Sequence, residues 1–136
     1  MKISKDIQLY WKDIFKISYE NYQKELAALE VVSIKSFEEY ERYLSENIEG
    51  INGLVYLEED KCTAFLLYNV WEENREICCM IPEWGYGSNS HNREKAIAYL
   101  FQSLANDIVI DKTVNFSVHL YAHDIEIQRL FSYMEF

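Results

Sequence analysis

One proline and four glycines in 136 residues leave few points where the backbone must turn, so long regular elements fill most of the chain. Positive charge is also short, with 13 Lys and Arg against 23 Asp and Glu and a formal net charge of -10. No Lys/Arg cluster rises above that background. Phosphate backbones are repelled by such a surface, which argues against nucleic acid as a main partner. An anionic small molecule remains admissible, because N–H groups at a helix start bind phosphate locally against an unfavourable overall field. No apolar run approaches the roughly 20 residues that span a bilayer. The opening Met1-Lys2-Ile3-Ser4-Lys5-Asp6 leads into mixed polar and aromatic residues rather than an apolar leader segment. A cytoplasmic protein without membrane contact is the expectation.

Cysteine is scarce and odd in number: Cys62, Cys78 and Cys79 lie in apolar, strand-like runs without C-x-x-C spacing. The pattern predicts buried reduced thiols rather than a disulfide framework or a zinc site. His91, His119 and His123 form no metal-spaced set. The sequence also lacks G-x-S-x-G, a Walker loop and H-E-x-x-H. Glu58-Glu59 and Glu72-Glu73 read as solvated turns in a chain this acidic.

What is present is ordinary globular material, 49% hydrophobic and 26% charged, which predicts one α/β domain over 1–136. Residues 6–29 hold no Gly or Pro and space Ile7, Trp11, Ile14, Phe15, Tyr22, Leu26 and Leu29 as a helix with an aromatic stripe. Ser36 followed by Glu39 is a capping box opening a second helix to about Asn47. Strands are expected at 53–58, 62–71 and 75–81, with turns at Glu59-Asp60-Lys61 and Glu72-Glu73-Asn74, as an antiparallel meander. An irregular stretch over 82–92 precedes a helix at 93–108, and Asp111-Lys112 turns the chain. Alternating Val114, Phe116, Val118 and Leu120 mark a strand within 113–121, and a last helix runs over 124–134. A strand–helix–strand unit after a meander places a parallel pair, 75–81 beside 113–121, inside a mixed sheet.

The junction Ile81-Pro82-Glu83-Trp84-Gly85-Tyr86-Gly87-Ser88-Asn89-Ser90-His91-Asn92 is the conspicuous site candidate. It follows a strand and opens a helix, so free N–H groups and the positive helix end converge there. Gly85 and Gly87 permit close approach of the backbone to a ligand, Asn92 can cap the helix, and Arg93 and Lys95 can offset phosphate charge. A surface loop of ordinary turn residues fits the same spacing.

The element order, the segment around 78–87 and the run Leu120-Tyr121-Ala122-His123-Asp124-Ile125-Glu126-Ile127-Gln128-Arg129-Leu130-Phe131-Ser132-Tyr133-Met134-Glu135-Phe136 resemble the GNAT N-acyltransferase superfamily. That run is similar to the family's closing pattern, L-Y-x-x-x-G-F. The resemblance also extends to a subset in which an I-P-x-x-G loop accompanies L-Y-A-H-D. It implies a GNAT-like acyl-CoA N-acyltransferase fold lacking the final strands, and so a fragment of a longer protein. It also implies acetyl-CoA as co-substrate, with its pantetheine arm between 75–81 and 113–121 and its pyrophosphate on the loop 84–93. The residues so implied are Met80, Ile81, Gly85, Tyr86, Gly87, Ser88, Asn92 and Arg93. The departures are as specific as the match. The loop has no Q/R-x-x-G-x-G/A register, and Glu135 stands where the family has glycine. Phe131 stands where many members have a proton-donating tyrosine, and Tyr133 points about 200° around the helix from it.

Three readings follow. An N-acetyltransferase would acylate an unknown amine, with Glu76 and Glu83 as the base candidates and backbone groups near Met80 and Ile81 holding the thioester. A non-catalytic GNAT-like domain would support a partner domain or subunit. A small acidic interaction or inhibitor protein would share the fold only. A sheet ending at 113–121 leaves an open edge, which predicts cover by a second copy, as in a homodimer, or by a second domain.

Overall fold

Residues 2–30, 34–108 and 114–134 are described by the computed structural model. In chain order they form β1 (Lys2–Ser4), a 3-10 turn (Ile7–Tyr10), α1 (Trp11–Ala28), α2 (Phe37–Asn47), β2 (Asn52–Glu58) and β3 (Lys61–Glu73). The rest are β4 (Glu76–Ile81), β5 (Tyr86–Ser88), α3 (Arg93–Ile108), β6 (Val114–Val118) and α4 (Ile125–Tyr133).

Local chemistry accounts for the boundaries. The Ser36 hydroxyl accepts the Glu39 N–H at 3.2 Å, so the predicted cap of α2 is made. Asn92 Oδ1 accepts the Lys95 N–H at 3.0 Å and caps α3. The β2–β3 hairpin turns on Glu59 (φ 52) and Asp60 (φ 64), two successive left-handed residues whose twist matches that of the flanking strands. The next hairpin turns on Asn74 and Arg75 in the same way, so Glu72 and Glu73, expected in the turn, still belong to β3.

The sheet runs β1-β2-β3-β4-β6, with β5 also on β3. All neighbours are antiparallel except β4 and β6, which are parallel in register Ile77↔Val114 to Ile81↔Val118, as the strand–helix–strand order requires. Alternation along β2 and β3 feeds two cores. Leu54, Tyr56, Ala64, Leu66 and Tyr68 pack toward α3 and α4, with Ile97, Leu100, Leu104 and Ile127. Val55, Leu57, Phe65 and Leu67 pack toward α1 and α2, with Ile14, Ile17, Tyr40 and Leu44. Each buried Val, Leu, Ile or Phe among them contributes roughly 1.5–3 kcal/mol on burial. Cys62, Cys78 and Cys79 are free thiols; Cys62 and Cys79 are buried and Cys78 is half-buried.

Four expectations are corrected. The stretch 82–92 is not irregular throughout, because Tyr86–Ser88 form β5, in register Leu66↔Tyr86 to Ala64↔Ser88. Gly85 N–H bonds Pro82 O at 2.8 Å while Leu67 N–H bonds Gly85 O at 2.7 Å. The chain therefore bulges at Pro82–Gly85 and rejoins the lane beside β3 that β4 had occupied. β1 was not anticipated, being too short at three residues to show a period. The last strand ends at Val118, and Thr113 with the Asp111-Lys112 turn lies outside the described residues. The first helix starts as a 3-10 turn before becoming α-helical at Trp11.

Candidate functional site

Parallel strands β4 and β6 part after one last bond, from His119 N–H to Ile81 O at 2.9 Å. Beyond it β4 enters the Pro82–Gly85 bulge, and the chain after β6 runs through Tyr121 to α4. Side chains of β5, α3 and the segment before α4 meet beside these strand ends. Tyr86 is 0% exposed, and its hydroxyl accepts the Tyr121 N–H at 3.2 Å and donates to Asp124 Oδ2 at 3.1 Å. Arg93, at the first turn of α3, reaches across to the same buried carboxylate, 2.9 Å from Nη2 to Oδ2 and 3.4 Å from Nη1 to Oδ1. Its Nε donates to Ser88 O at 3.3 Å, so the guanidinium is committed on both edges.

Helix α1 closes the other side. The Glu25 carboxylate accepts the N–H groups of Ala122 at 3.2 Å and His123 at 3.0 Å and bonds the His123 ring. Two successive amides aimed at one anion form a small nest, here held by a side chain of the protein. Burial works to raise the Glu25 carboxyl, but the His123 and Ala122 donors outweigh it and hold it below the ordinary carboxylate value. Asn21 Nδ2 reaches Tyr86 O at 3.4 Å, and the Ser18 hydroxyl joins Tyr40 OH at 2.8 Å and donates to Trp84 O at 3.0 Å. Burial raises the Tyr86 and Tyr121 phenols, with Asp124 adding to the first and Tyr40 to the second, so both stay protonated donors. Among the described residues no buried side-chain N or O lacks a partner.

The residues expected to bind cofactor are brought close together, and several of their groups have partners within the chain. Met80 lies between Asn69 and Ser117, and Ile81 pairs with Val118, so these backbones belong to the sheet ladder. Gly85 sits where a Cβ would be 2.7 Å from Leu67 O, and at Gly87 one would be 2.9 Å from Ile17 Cγ2. Their lack of a side chain serves packing against the neighbouring strand and helix. Ser88 donates to Thr63 O at 3.0 Å, Asn92 is the α3 cap, and Arg93 is held by Asp124. Tyr86 and Asp124 thus meet beside the strand ends where the pantetheine arm was expected.

Of the base candidates, Glu83 is exposed on the bulge, near the gap. Glu76 is not brought to it: it sits at the far end of β4, bonded to Asn115. Phe131 is 3% exposed and packs edge-on against Phe101 at 5.2 Å, while Tyr133 is 89% exposed and faces away from the core. Sequence reasoning missed Ser18, Asn21 and Glu25. Their signal was legible, since they continue the buried stripe of Ile14 at positions i+4, i+7 and i+11, where a helix facing only a core carries apolar residues. Among the described residues no group of three His, Cys, Asp or Glu could hold a metal ion, and no helix is long and apolar enough to cross a membrane.

No family model and no curated protein matches the sequence. Solved structures do match it in shape. A mutant of the BH1408 protein from Bacillus halodurans superposes with a TM-score of 0.74 at 10% identity, over 100% of this chain and 92% of that one. A probable acetyltransferase gives 0.70 at 12% identity, over 100% and 89%. A predicted acetyltransferase from Clostridium acetobutylicum, determined with acetyl-CoA, gives 0.62 at 11% identity, over 99% and 88%. At such identities the likeness speaks for the fold alone. The sheet order, the parallel pair that parts after Ile81 and the likeness to these structures agree: the chain has the fold of the GNAT acetyltransferases.

Proposed function

We propose that this chain is a non-catalytic domain on the GNAT fold, acting through contact with another protein chain rather than by acyl transfer. The observation that carries the reading is the internal hydrogen-bonded set beside the strand ends, where the Tyr86 hydroxyl bridges Asp124 and Tyr121. Transfer needs an amine held against a thioester carbonyl, with hydrogen-bond donors aimed at the developing oxyanion. Here the candidate donors are spent on the sheet ladder, on Glu25 and on Asp124. Phe131 has no proton to donate, and the net charge of -10 opposes a polyanionic cofactor.

Acetyl-CoA titrated calorimetrically into the folded protein at low salt is expected to give no saturable heat up to millimolar ligand. Saturable binding in the micromolar range overturns the reading. Because Gly87 is packed against α1, a substitution there would test the fold more than the site, and Tyr86 is the better probe.

A second reading is acetyl-CoA-dependent transfer to an amine. It is favoured by the parting of β4 and β6 beyond Ile81 and by the acetyl-CoA-bound neighbour of the same fold. An acidic surface suits a cationic amine. Release of free CoA thiol in the presence of polyamines would establish it.

A further inference from the structure

The face of β3 toward α3 loses its cover partway along the strand. β2 begins at Asn52, opposite Tyr68, while β3 runs on to Glu73, and α3 ends at Ile108. Side chains two apart on a strand share a face, so Val70 follows Tyr68 on the α3 side. Yet Val70 is 40% exposed where Tyr68 is 7%. The 3-10 turn Ile7–Tyr10 leaves Leu9 76% exposed. Between these pieces lies a cavity of about 910 Å³, a size that suits a small molecule. Leu9, Ile51, Val70 and Ile108 supply its apolar wall, and Lys5, Asp6, Asp107 and Tyr68 are among its polar residues.

A buried phenol ordinarily finds a hydrogen-bond partner, as Tyr40 does in Ser18 and Tyr86 in Asp124. Tyr68 is more than nine-tenths buried, and among the described residues its hydroxyl has none. No enclosed side-chain oxygen among those residues lacks a partner, so this hydroxyl is not sealed in and opens onto the cavity that Tyr68 lines. Burial, with Cys79 and Asp107 adding, pushes the phenol up to about 12, so it stays protonated near the Asp107 carboxylate. Charge then selects the ligand. α3 has no basic residue in its last turn, so its last carbonyls and Asp107 make this end negative. Asp6 adds a second carboxylate. Lys5 is the one cation among the lining residues, and its Nζ lies 2.9 Å from Asp107 Oδ2.

We infer that this cavity binds a protonated amine with an apolar body, an alkyl- or arylalkylammonium. The ammonium donates to the Tyr68 oxygen and to Asp107, taking the place of Lys5 on that carboxylate, while the body lies against Leu9, Ile51, Val70 and Ile108. The Lys5 side chain is 69% exposed, so its ammonium returns to water with little loss. A carboxylate ligand is repelled by Asp6 and Asp107, and a small amine without a body leaves the apolar wall wet. The cavity lies at the C-terminal end of α3, about 24 Å along the helix from Arg93, so the amine is held apart from the Tyr86–Asp124–Arg93 set. The inference goes beyond the preceding reading and holds whether or not acetyl-CoA binds.

Proton–nitrogen correlation spectra of the full chain, titrated with phenethylamine at pH 7, are expected to show saturable shifts at Gly53, Val70 and Ile108 and none at Gly87. Phenethyl alcohol, which has the same shape without the charge, should bind about tenfold more weakly or worse, as should phenylacetate. Ethylamine, which lacks the body, should lose about as much. Tyr68→Phe keeps the ring and should weaken phenethylamine about three- to tenfold, and Asp107→Asn about tenfold or more. Lys5→Met leaves Asp107 without its internal cation and should tighten binding. Absence of saturable shifts at tens of millimolar amine overturns the inference, as do shifts that miss the cavity residues. Equal affinity for the alcohol or for ethylamine overturns it as well. So does wild-type affinity in both Tyr68→Phe and Asp107→Asn, or weaker binding in Lys5→Met, each in a variant whose spectrum shows it folded.

Discussion

Glu25 is 7% exposed on a helix face otherwise given to residues such as Ile14 and Ile17, yet its carboxyl is held below the ordinary value. Burying a charge is costly unless it is hydrogen-bonded, and three donors from Ala122 and His123 meet that requirement. A carboxyl lowered in the folded state stabilises the protein above its unfolded pKa, and that contribution is lost as pH falls through the folded one. The thermal midpoint should therefore drop as pH is lowered from about 4.5, the ordinary value, toward 3. Glu25→Gln should flatten that dependence and lower the midpoint at pH 7, because the amide answers fewer of the donors, at a cost of roughly 1–3 kcal/mol. Equal acid sensitivity in the two proteins would show that other carboxylates govern it.

At the scale of elements, the interrupted strand formed by β4, the bulge and β5 sets the site. Gly85 and Gly87 lie on that lane, but their surroundings differ in how far they can yield. A Cβ at Gly85 would press on the Leu67 carbonyl at 2.7 Å and the Pro82 ring at 2.9 Å, backbone and a rigid ring. At Gly87 it would meet the Ile17 methyl at 2.9 Å and the Phe65 ring at 3.1 Å, side chains able to shift by a few tenths of an ångström. Overpacking of this kind costs about 1–3 kcal/mol. Gly85→Ala is expected at or above the upper end and Gly87→Ala at the lower, measured by urea denaturation. The reverse order would mean that α1 is less able to move than the bulge. The helices and the meander were legible from their periods, and α3 begins and ends where its spacing predicts. β5 was not, because three residues between a bulge and a cap are too few to display alternation.

For the whole molecule, the decisive feature is that β2 and β3 serve both cores with alternate side chains. Neither face can lose its packing without exposing strands that the other face needs, so the two layers should unfold together. Trp11 and Trp84 report on the α1/α2 side, where both pack against the core. Leu100, on α3, lies in the opposite core, and Leu100→Ala should cost about 2–5 kcal/mol. The tryptophan fluorescence midpoint in urea should fall together with the far-UV signal in that variant. A fluorescence transition left at its wild-type position would divide the molecule into two independently stable layers.

The sequence by itself determined what depends on neighbours a few residues apart. It set the periods of the helices and strands, the caps at Ser36 and Asn92, and the parallel pairing forced by a strand–helix–strand connection. It also carried the departure at Phe131, a ring without a proton to give. The contents of the gap were decided only by tertiary structure. Glu25 meets His123 across 98 positions of chain, Tyr86 meets Asp124 across 38, and Arg93 meets Asp124 across 31. No local rule pairs such residues. Their meeting depends on α1 packing over the strand ends while α3 and α4 start side by side, which gathers residues far apart in the chain into one set of internal hydrogen bonds.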